Sequence, residues 1–163
     1  MDEPDFEDFY RASAPRLRTY LYRVCGERRV VDDLVQEAYY RFLRSKLAGA
    51  EREEAVRYLF RIATNLLKDH WAAAKKERGT PARLDEEPAL RSAPAAGLDL
   101  HSALGTLRPA DRELLWLAYA EGYSHAEIAG IAGVRPGSVR VMLFRARERL
   151  VRILRPGSKG DER

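Results

Sequence analysis

The strongest chemical signal in the sequence is a cluster of arginines near its C-terminal end. Residues 138–155 contain six arginines and one acid, Glu148. The basic residues are Arg140, Arg145, Arg147, Arg149, Arg152 and Arg155. Apolar residues of the same segment recur at steps of three and four, which predicts a helix with one buried side. Guanidinium groups pair with phosphates and with guanine edges, so the other side of this helix is predicted to bind nucleic acid.

The residues before this helix have the signals of a helix-turn-helix. Ser124 and Glu127 have the spacing of a capping box, which opens a short helix. Gly133 permits a tight turn, and Pro136 is suited to the first turn of the next helix. The second helix of such a motif enters the major groove by its N-terminal end. Arg140 is therefore expected to reach base edges, and the later arginines are expected to meet phosphates.

A second polar surface is predicted at the end of an earlier helix, from about Glu53 to Lys76. Amide, basic and aromatic side chains alternate there: Asn65, Lys68, His70, Trp71, Lys75 and Lys76. Such a surface can hold phosphates and stack an unpaired base. A solvated helix end with Trp71 in the core explains the same residues equally well.

An acidic and amide surface precedes it, at Asp32, Asp33, Gln36 and Glu37. Acids in the first turn of a helix complement its dipole, and on the residues alone this explanation is favoured. The same side chains could dock onto a basic partner helix.

Enzymatic sites are not predicted. The sequence has no glycine-rich phosphate loop and no histidine pair with metal-ligand spacing. Its single cysteine, Cys25, excludes an intrachain disulfide and is expected to be a core thiol. We therefore expect no catalytic residue, no metal, no cofactor and no small-molecule substrate.

The fold is predicted to be all-α, with two small helical domains, 1–78 and 98–155. Between them, 79–97 is rich in proline and alanine and is expected to be a flexible linker. Residues 156–163 are expected to form a disordered tail. Within the first domain, Pro15 is expected to kink or divide the first helix, and Asp32 is expected to cap the second.

The longest apolar run, seven residues from Leu114 to Ala120, is far short of the roughly 20 residues of a membrane span. The N-terminus is acidic, unlike a secretory signal. A cytoplasmic protein is therefore expected.

Four motifs together resemble the bacterial sigma factors of the extracytoplasmic-function (ECF) group, in the sigma-70 family. They are Asp33-Leu34-Val35-Gln36-Glu37, Tyr58-Leu59-Phe60-Arg61-Ile62-Ala63-Thr64-Asn65, Ser124-His125-Ala126-Glu127-Ile128-Ala129, and Gly137-Ser138-Val139-Arg140 with Phe144-Arg145-Ala146-Arg147. Each motif alone is weak, but their order and spacing across two domains are specific. The resemblance covers about residues 5–78 and 98–155.

The resemblance implies a promoter-specificity subunit of RNA polymerase, built from sigma region 2 and sigma region 4. Polymerase binding, through the clamp helices of the largest subunit, is implied for Asp33, Gln36, Glu37 and Arg41. Contacts with the minus-ten element are implied for Asn65 and Lys68, which match the family's helix positions, and capture of a flipped base for the loop at 47–54. The basic and aromatic pattern of the same helix adds Trp71, Lys75 and Lys76 as expected contacts. Contacts with the minus-thirty-five element are implied for Arg140, Phe144 and Arg145, which stand at matching positions. Ser138, Val141, Arg147 and Arg149 of the same helix are expected to add DNA contacts.

The implied partners are core polymerase, including its flap, promoter DNA and an anti-sigma factor, which could hold the chain at the membrane. Two departures from the family pattern stand out. The capture loop has no aromatic residue, and Val141 and Met142 replace the Ser and Arg common in the recognition helix.

Two other functions fit part of the same residues. An autonomous helix-turn-helix regulator would bind DNA without polymerase and dimerise on a palindromic site. An interaction protein would bind polymerase or its regulators without initiating transcription. Under the sigma hypothesis, the two domains bind promoter DNA weakly until polymerase fixes their separation, which raises the effective concentration of each for its site.

Overall fold

The computed structural model describes residues 1–77 and 100–155. Its α-helices are α1 (Glu3–Cys25), α2 (Arg28–Leu43), α3 (Arg52–Glu77), α4 (Leu100–Thr106), α5 (Pro109–Leu115), α6 (His125–Ala132) and α7 (Pro136–Leu154). A 3₁₀ turn, Lys46–Gly49, precedes α3, and a π-helical turn, Trp116–Ala120, extends α5. The all-α prediction is confirmed. The predicted linker (79–97) and tail (156–163) lie outside the described residues.

Of the two effects expected of Pro15, a kink or a division of the first helix, the division is wrong, because α1 runs through Pro15 as one helix. A proline removes one backbone hydrogen bond and exposes the carbonyl four residues earlier, here that of Arg11. Arg11 and Pro15 are both exposed, so water can satisfy this carbonyl. The flanking Ala14 and Leu17 are buried and keep the helix on the core.

Helix α2 begins at Arg28, not at Asp32, so the predicted cap was also wrong. Glu27 is the N-cap residue, and its carbonyl accepts from the amide of Val31 at 3.0 Å. Asp32 lies in the second turn and instead accepts a hydrogen bond from Arg18 of α1 at 2.5 Å. This ion pair joins α1 to α2, and several turns further along the same two helices Phe9 and Phe42 stack with ring centroids 4.9 Å apart.

Helix α3 is the central element, and its predicted extent is confirmed within one residue at each end. It packs against α1, α2 and the 3₁₀ turn, and also against α6 from the second half of the chain. Its buried residues include Leu59, Phe60, Ala63 and Leu67. The hydroxyls of Thr64 and of Tyr20 on α1 are hydrogen-bonded at 2.8 Å within this core.

The second half of the chain is a helix-turn-helix preceded by two short helices. Pro109 occupies the first turn of α5, and the capping box of Ser124 and Glu127 is formed in both directions at the start of α6. Gly133 ends α6 with φ +70°, and α7 begins at Pro136. Val139, Leu143 and Ala146 of the predicted stripe are buried.

The two halves of the described chain pack together. Helix α1 contacts α5, helix α3 contacts α6, and the buried apolar residues of both halves form one continuous cluster. We refer to residues 1–77 as the N-terminal unit and to residues 100–155 as the C-terminal unit.

Two glycines of α6 give a matched pair of stability predictions. Gly133 has positive φ, which costs an L side chain roughly 1–2 kcal/mol, so Gly133→Ala is expected to destabilise the protein by about that amount. Gly130 lies within the helix with nothing within 4 Å of an added Cβ. Gly130→Ala is expected to stabilise by about 0.5–1 kcal/mol. Urea unfolding measures the change in the free energy of unfolding for both variants, which is expected to have opposite signs. A change of the same sign in both variants would contradict this explanation.

Candidate polymerase-binding and nucleic-acid-binding surfaces

The first candidate surface lies on α2. Asp33, Gln36 and Arg41 are exposed and Glu37 is half-buried. Their spacing of three or four residues places them along one side of the helix. Arg41 donates from Nε to Glu37 Oε1 at 2.8 Å, which holds both side chains flat on the helix. Asp32 is engaged by Arg18, so Asp33 presents the uncommitted carboxylate at this end of the surface.

On the second candidate surface, on α3, packing buries some of the predicted residues and leaves others exposed. Asn65 and Lys76 are exposed, but Lys75 is buried and Trp71 packs half-buried against the core. Lys68 donates from Nζ to the carbonyl of Ala132, at the end of α6. Of the predicted residues on this helix, Asn65 and Lys76 are therefore fully exposed, Lys68 and Trp71 are partly exposed, and Lys68 faces the C-terminal unit.

The loop predicted to capture a base comprises the 3₁₀ turn and the first residues of α3. Ala48 is buried, whereas Gly49 and Glu51 are exposed. An open cavity of about 430 Å³ lies between this loop and the start of α1, where Asp5, Asp8 and Phe9 line it. The loop thus borders a space without supplying an aromatic side chain to it.

The third candidate surface is the N-terminal half of α7. Arg140 and Arg145 are exposed, and between them Val141 and Phe144 are 48% and 54% exposed. Ser138 is half-buried at the helix start. Because Val141 and Phe144 are this exposed and lie between two arginines, they can contact thymine methyl groups or pack against a sugar.

Two of the arginines further along α7 are held by the C-terminal unit itself. Arg147 donates to the hydroxyl of Tyr119 at 2.7 Å. Arg149 donates to both carboxylate oxygens of Asp111, at 2.9 and 3.0 Å. The side chain of Asp111 is only 4% exposed, and Arg149 neutralises this buried carboxylate together with Arg108, which pairs with it at 3.4 Å. The predicted role of Arg149 as a phosphate contact therefore competes with a structural role.

The C-terminal unit also carries an apolar groove of about 440 Å³. Its walls come from α4, the end of α5 with the π turn, and the last turns of α7. The lining residues include Leu100, Leu104, Trp116, Tyr119, Leu150 and Val151. The sequence indicated this feature only as an apolar run at 114–120.

The contacts at the junction between the two units were not predicted from the sequence. Arg16 donates to Glu121 Oε2 from Nη2 at 2.7 Å and from Nε at 3.1 Å. Arg57 pairs with Glu127 at 3.1 Å. The rings of Phe60 and Tyr123 meet edge to face with centroids 6.0 Å apart. Nothing in the local sequence pattern indicates which residue of the other unit each would meet.

Glu113 of α5 is the most strongly perturbed acid at this junction. Burial raises the pKa of its carboxyl to about 7, and the ammonium of Lys68, 3.8 Å from Oε1, lowers it by less. Glu113 Oε1 has no hydrogen-bond partner. The sequence contained one signal for the burial of Glu113. This residue lies four positions before Leu117, which is fully buried, and therefore lies on the apolar side of its helix.

Within residues 1–77 and 100–155, no group of three or more acidic, histidine or cysteine side chains could hold a metal ion. In the same residues no helix is long and apolar enough to cross a membrane.

These features define a helical protein with one half that carries a helix-turn-helix and another with an exposed acidic helix face. Comparison with known families agrees with this class. Residues 9–77 match the model of sigma-70 region 2, and residues 97–150 match that of sigma-70 region 4.

Curated relatives are similar over most of the chain. The RNA polymerase sigma factor CarQ of Myxococcus xanthus is 29% identical, covering 91% of this chain and 88% of CarQ. The ECF sigma factor SigE of Mycolicibacterium smegmatis is 31% identical over 90% of this chain, which spans 60% of SigE. The ECF sigma factor EcfG of Rhodopseudomonas palustris is 28% identical, with coverages of 88% and 81%.

A solved structure shares the fold. The sigma factor RpoE of Bartonella quintana, crystallised with the anti-sigma factor NepR, superposes with a TM-score of 0.71 at 24% identity, covering 94% of this chain and 98% of that one.

The chain therefore belongs to the sigma-70 family of RNA polymerase sigma factors, in its ECF group. Sigma factors are initiation subunits of polymerase and not enzymes, so the prediction of a non-enzymatic transcription protein is confirmed.

Glu113 predicts a specific pH dependence of stability. Its pKa is about 7 in the folded protein against 4.5 in an unfolded chain, so the folded state retains the proton to higher pH. The free energy of unfolding should therefore fall as pH rises from about 4.5 to about 7, by at most about 3 kcal/mol, and stay at the lower value above that. Glu113→Gln, which cannot ionise, should lack this fall and be more stable than wild type at pH 8.

Denaturant unfolding between pH 4.5 and 8 measures the difference between the two proteins. Glu148→Gln removes an exposed carboxylate of α7 and controls for the loss of one negative charge. A Glu113→Gln variant that loses stability in parallel with wild type across this range would contradict the assignment to Glu113.

Proposed function

We propose that this sigma factor binds core polymerase through the α2 surface of Asp33, Gln36, Glu37 and Arg41. The observation that carries the proposal is the exposure of this polar row on a helix whose opposite side is buried. The resemblance of the Asp33–Glu37 motif to the family's clamp-docking helix gives the partner. A polar row of mixed charge fits a specific interface that depends on electrostatic complementarity.

Promoter DNA is proposed to contact both units. On the N-terminal unit, Asn65, Lys68 and Lys76 are assigned to the minus-ten element, and the loop at 47–54 is assigned to an unstacked base. The cavity beside that loop supports this, since it offers space next to backbone and polar groups. On the C-terminal unit, Arg140, Val141, Phe144 and Arg145 are assigned to base edges and phosphates of the minus-thirty-five element, because they are exposed on the N-terminal half of the recognition helix.

Two further partners are proposed. The apolar groove of the C-terminal unit suits the polymerase flap, since an apolar cleft between helices accepts an amphipathic helix. An anti-sigma factor is proposed as the inhibitor, because the similar RpoE was crystallised with one. We assign the chain to the cytoplasm, where polymerase and promoters are found, with retention at the membrane if its anti-sigma factor is a membrane protein.

Asp33→Arg is expected to abolish binding to core polymerase, because it reverses the charge at the end of the docking row. Co-elution of the chain with bacterial core polymerase measures this. Glu7→Arg is the matched control: it makes the same charge change at an exposed site on α1, where the ion pair with Arg11 is solvent-screened and contributes little. Equal loss of binding in both variants, or no loss in either, would contradict the assignment of polymerase binding to α2. That result would favour an autonomous helix-turn-helix regulator.

Arg140→Ala is expected to cost about 1–3 kcal/mol of promoter binding at one base pair, if Arg140 pairs with a base edge. Arg145→Ala should instead weaken binding to all sequences and lower the salt slope by about one. Arg145 is chosen over Arg149 because removal of Arg149 would also take the closer of two arginine partners from the buried Asp111. Binding of the holoenzyme to a panel of single-base promoter variants separates a base-specific contact from a phosphate contact. An Arg140→Ala variant with unchanged base preference would show that Arg140 does not recognise a base.

A further inference from the structure

A basic cleft lies between the last turns of α1 and the first turns of α2. It has a volume of about 320 Å³, at the lower end of the ~300–1,000 Å³ range of ligand pockets. Three arginines and one acid line it, together with a hydroxyl and an aromatic ring: Arg18, Arg23, Arg28, Asp32, Thr19 and Tyr22. None of these residues belongs to the surfaces assigned above to polymerase or to the promoter.

Two of the three arginines are positioned by aromatic rings. The guanidinium of Arg28 lies 5.7 Å from the centre of the Tyr22 ring, and that of Arg23 lies 5.9 Å from the centre of the Trp116 ring. A ring attracts a guanidinium through its quadrupole but has no net charge, so the positive charge is not neutralised. Arg28 is exposed, and no carboxylate within residues 1–77 and 100–155 forms an ion pair with it.

The single acid of the cleft offsets only part of this charge. Asp32 accepts a hydrogen bond from Arg18 at 2.5 Å. Both side chains of this pair are well exposed, so water screens their attraction and Arg18 can exchange the carboxylate for another anion at little cost. Three arginines against one carboxylate leave the cleft with an excess of positive charge, which favours an anionic ligand.

The exposed ring of Tyr22 indicates which kind of anion fits. Its side chain is 37% exposed at the edge of the cleft, beside the planar guanidinium of Arg28. Single-stranded nucleic acids are bound by this combination, in which cations hold the phosphates while a base stacks on an aromatic ring or a guanidinium plane. A duplex keeps its bases stacked internally, and an acidic peptide has no base to stack. Either of these ligands would leave the ring of Tyr22 unused.

We propose that this cleft binds single-stranded DNA, with phosphates paired to Arg18, Arg23 and Arg28 and one base stacked against Tyr22. The exposed hydroxyl of Thr19 adds a donor for a phosphate oxygen. A promoter opened by polymerase and its initiation subunit exposes single strands, which gives the source of such DNA. The proposal adds a contact on α1 and α2 and does not rest on the assignments made to α3 and α7.

Fluorescence anisotropy of the full chain with a fluorescein-labelled oligothymidylate, about eight nucleotides long, measures this binding. Tyr22→Leu keeps the charge and removes the ring. It should weaken binding about five- to tenfold, the effect of losing one stacked base. The dependence of affinity on salt concentration should not change in this variant. Arg28→Gln should instead lower the slope of log affinity against log salt by about 0.7, the value for one phosphate contact on a single strand.

The chain offers a matched pair of control residues at the other end of α2. Arg44 lies 5.4 Å from the centre of the exposed Tyr40 ring, the same kind of contact outside the cleft. Tyr40→Leu should leave the affinity unchanged, and Arg44→Gln should leave the salt slope unchanged. Equal losses in Tyr40→Leu and Tyr22→Leu, or no loss in Tyr22→Leu, would overturn the proposal. Denaturant unfolding of each variant verifies that it is folded.

Photochemical cross-linking locates the bound strand. An oligothymidylate with a central 5-iodouracil is irradiated on the wild-type chain, and tryptic peptides are identified by mass spectrometry. Trypsin cleaves after Arg18 and Arg23 and releases the peptide 19–23, in which Tyr20 is fully buried and Tyr22 is exposed. A cross-link in this peptide that is lost in Tyr22→Leu is the expected result. Cross-links confined to peptides of α3 and α7 would overturn the proposal.

Competitors distinguish single-stranded DNA from other anions. Unlabelled oligothymidylate should suppress the cross-link to peptide 19–23, whereas thymidine triphosphate, duplex DNA and polyglutamate at the same concentration of charge should suppress it much less. Equal suppression by the triphosphate would indicate a mononucleotide site, and equal suppression by polyglutamate would indicate an acidic protein segment. Either result would overturn the proposal. All of these measurements use the chain without polymerase, so a failure of the proposed polymerase docking would leave their outcome unaffected.

Discussion

The structure depends on the burial of helix α3 from more than one side. Its apolar residues extend around much of the helix, including Leu59, Phe60 and Leu67, so a single neighbouring layer cannot cover them. Helices α1 and α2 cover one part and α6 covers another. A helix with this much apolar surface is unfavourable in water unless it is enclosed. The helix assigned to DNA binding is therefore also the helix on which the two units meet.

The junction combines this apolar contact with charges that burial makes costly. Glu121 and Glu113 are both nearly inaccessible, one with two hydrogen bonds from Arg16 and the other with an oxygen that has none. Apolar residues of both units form one continuous buried cluster at the same junction. Ion pairs also fix the position of one unit against the other, because each charged group must lie next to its partner. The junction thus combines a continuous apolar contact with specific charged pairs.

The surfaces assigned to polymerase and promoter follow from the same arrangement. Each lies on a helix whose opposite side is buried: α2 through Val35 and Ala38, and α7 through Val139 and Leu143. Burial fixes the helix and leaves the polar side in a defined orientation. The number of arginines on α7 overstates the number available to bind DNA. The guanidinium of Arg149 is directed inward to Asp111 and stabilises the unit that carries the exposed arginines.

Local features were determined by the sequence alone. The capping box at Ser124, the left-handed Gly133 and the extent of α3 depend on interactions within a few residues, which the spacing of side chains already encodes. Tertiary structure decided the rest. Pro15 remains inside a helix because its neighbours are anchored to the core, and Asp32 binds Arg18 because α1 lies beside α2. The pKa of Glu113 and the direction of Lys68 depend on how the two units pack, a contact between residues far apart in the chain that no local pattern specifies.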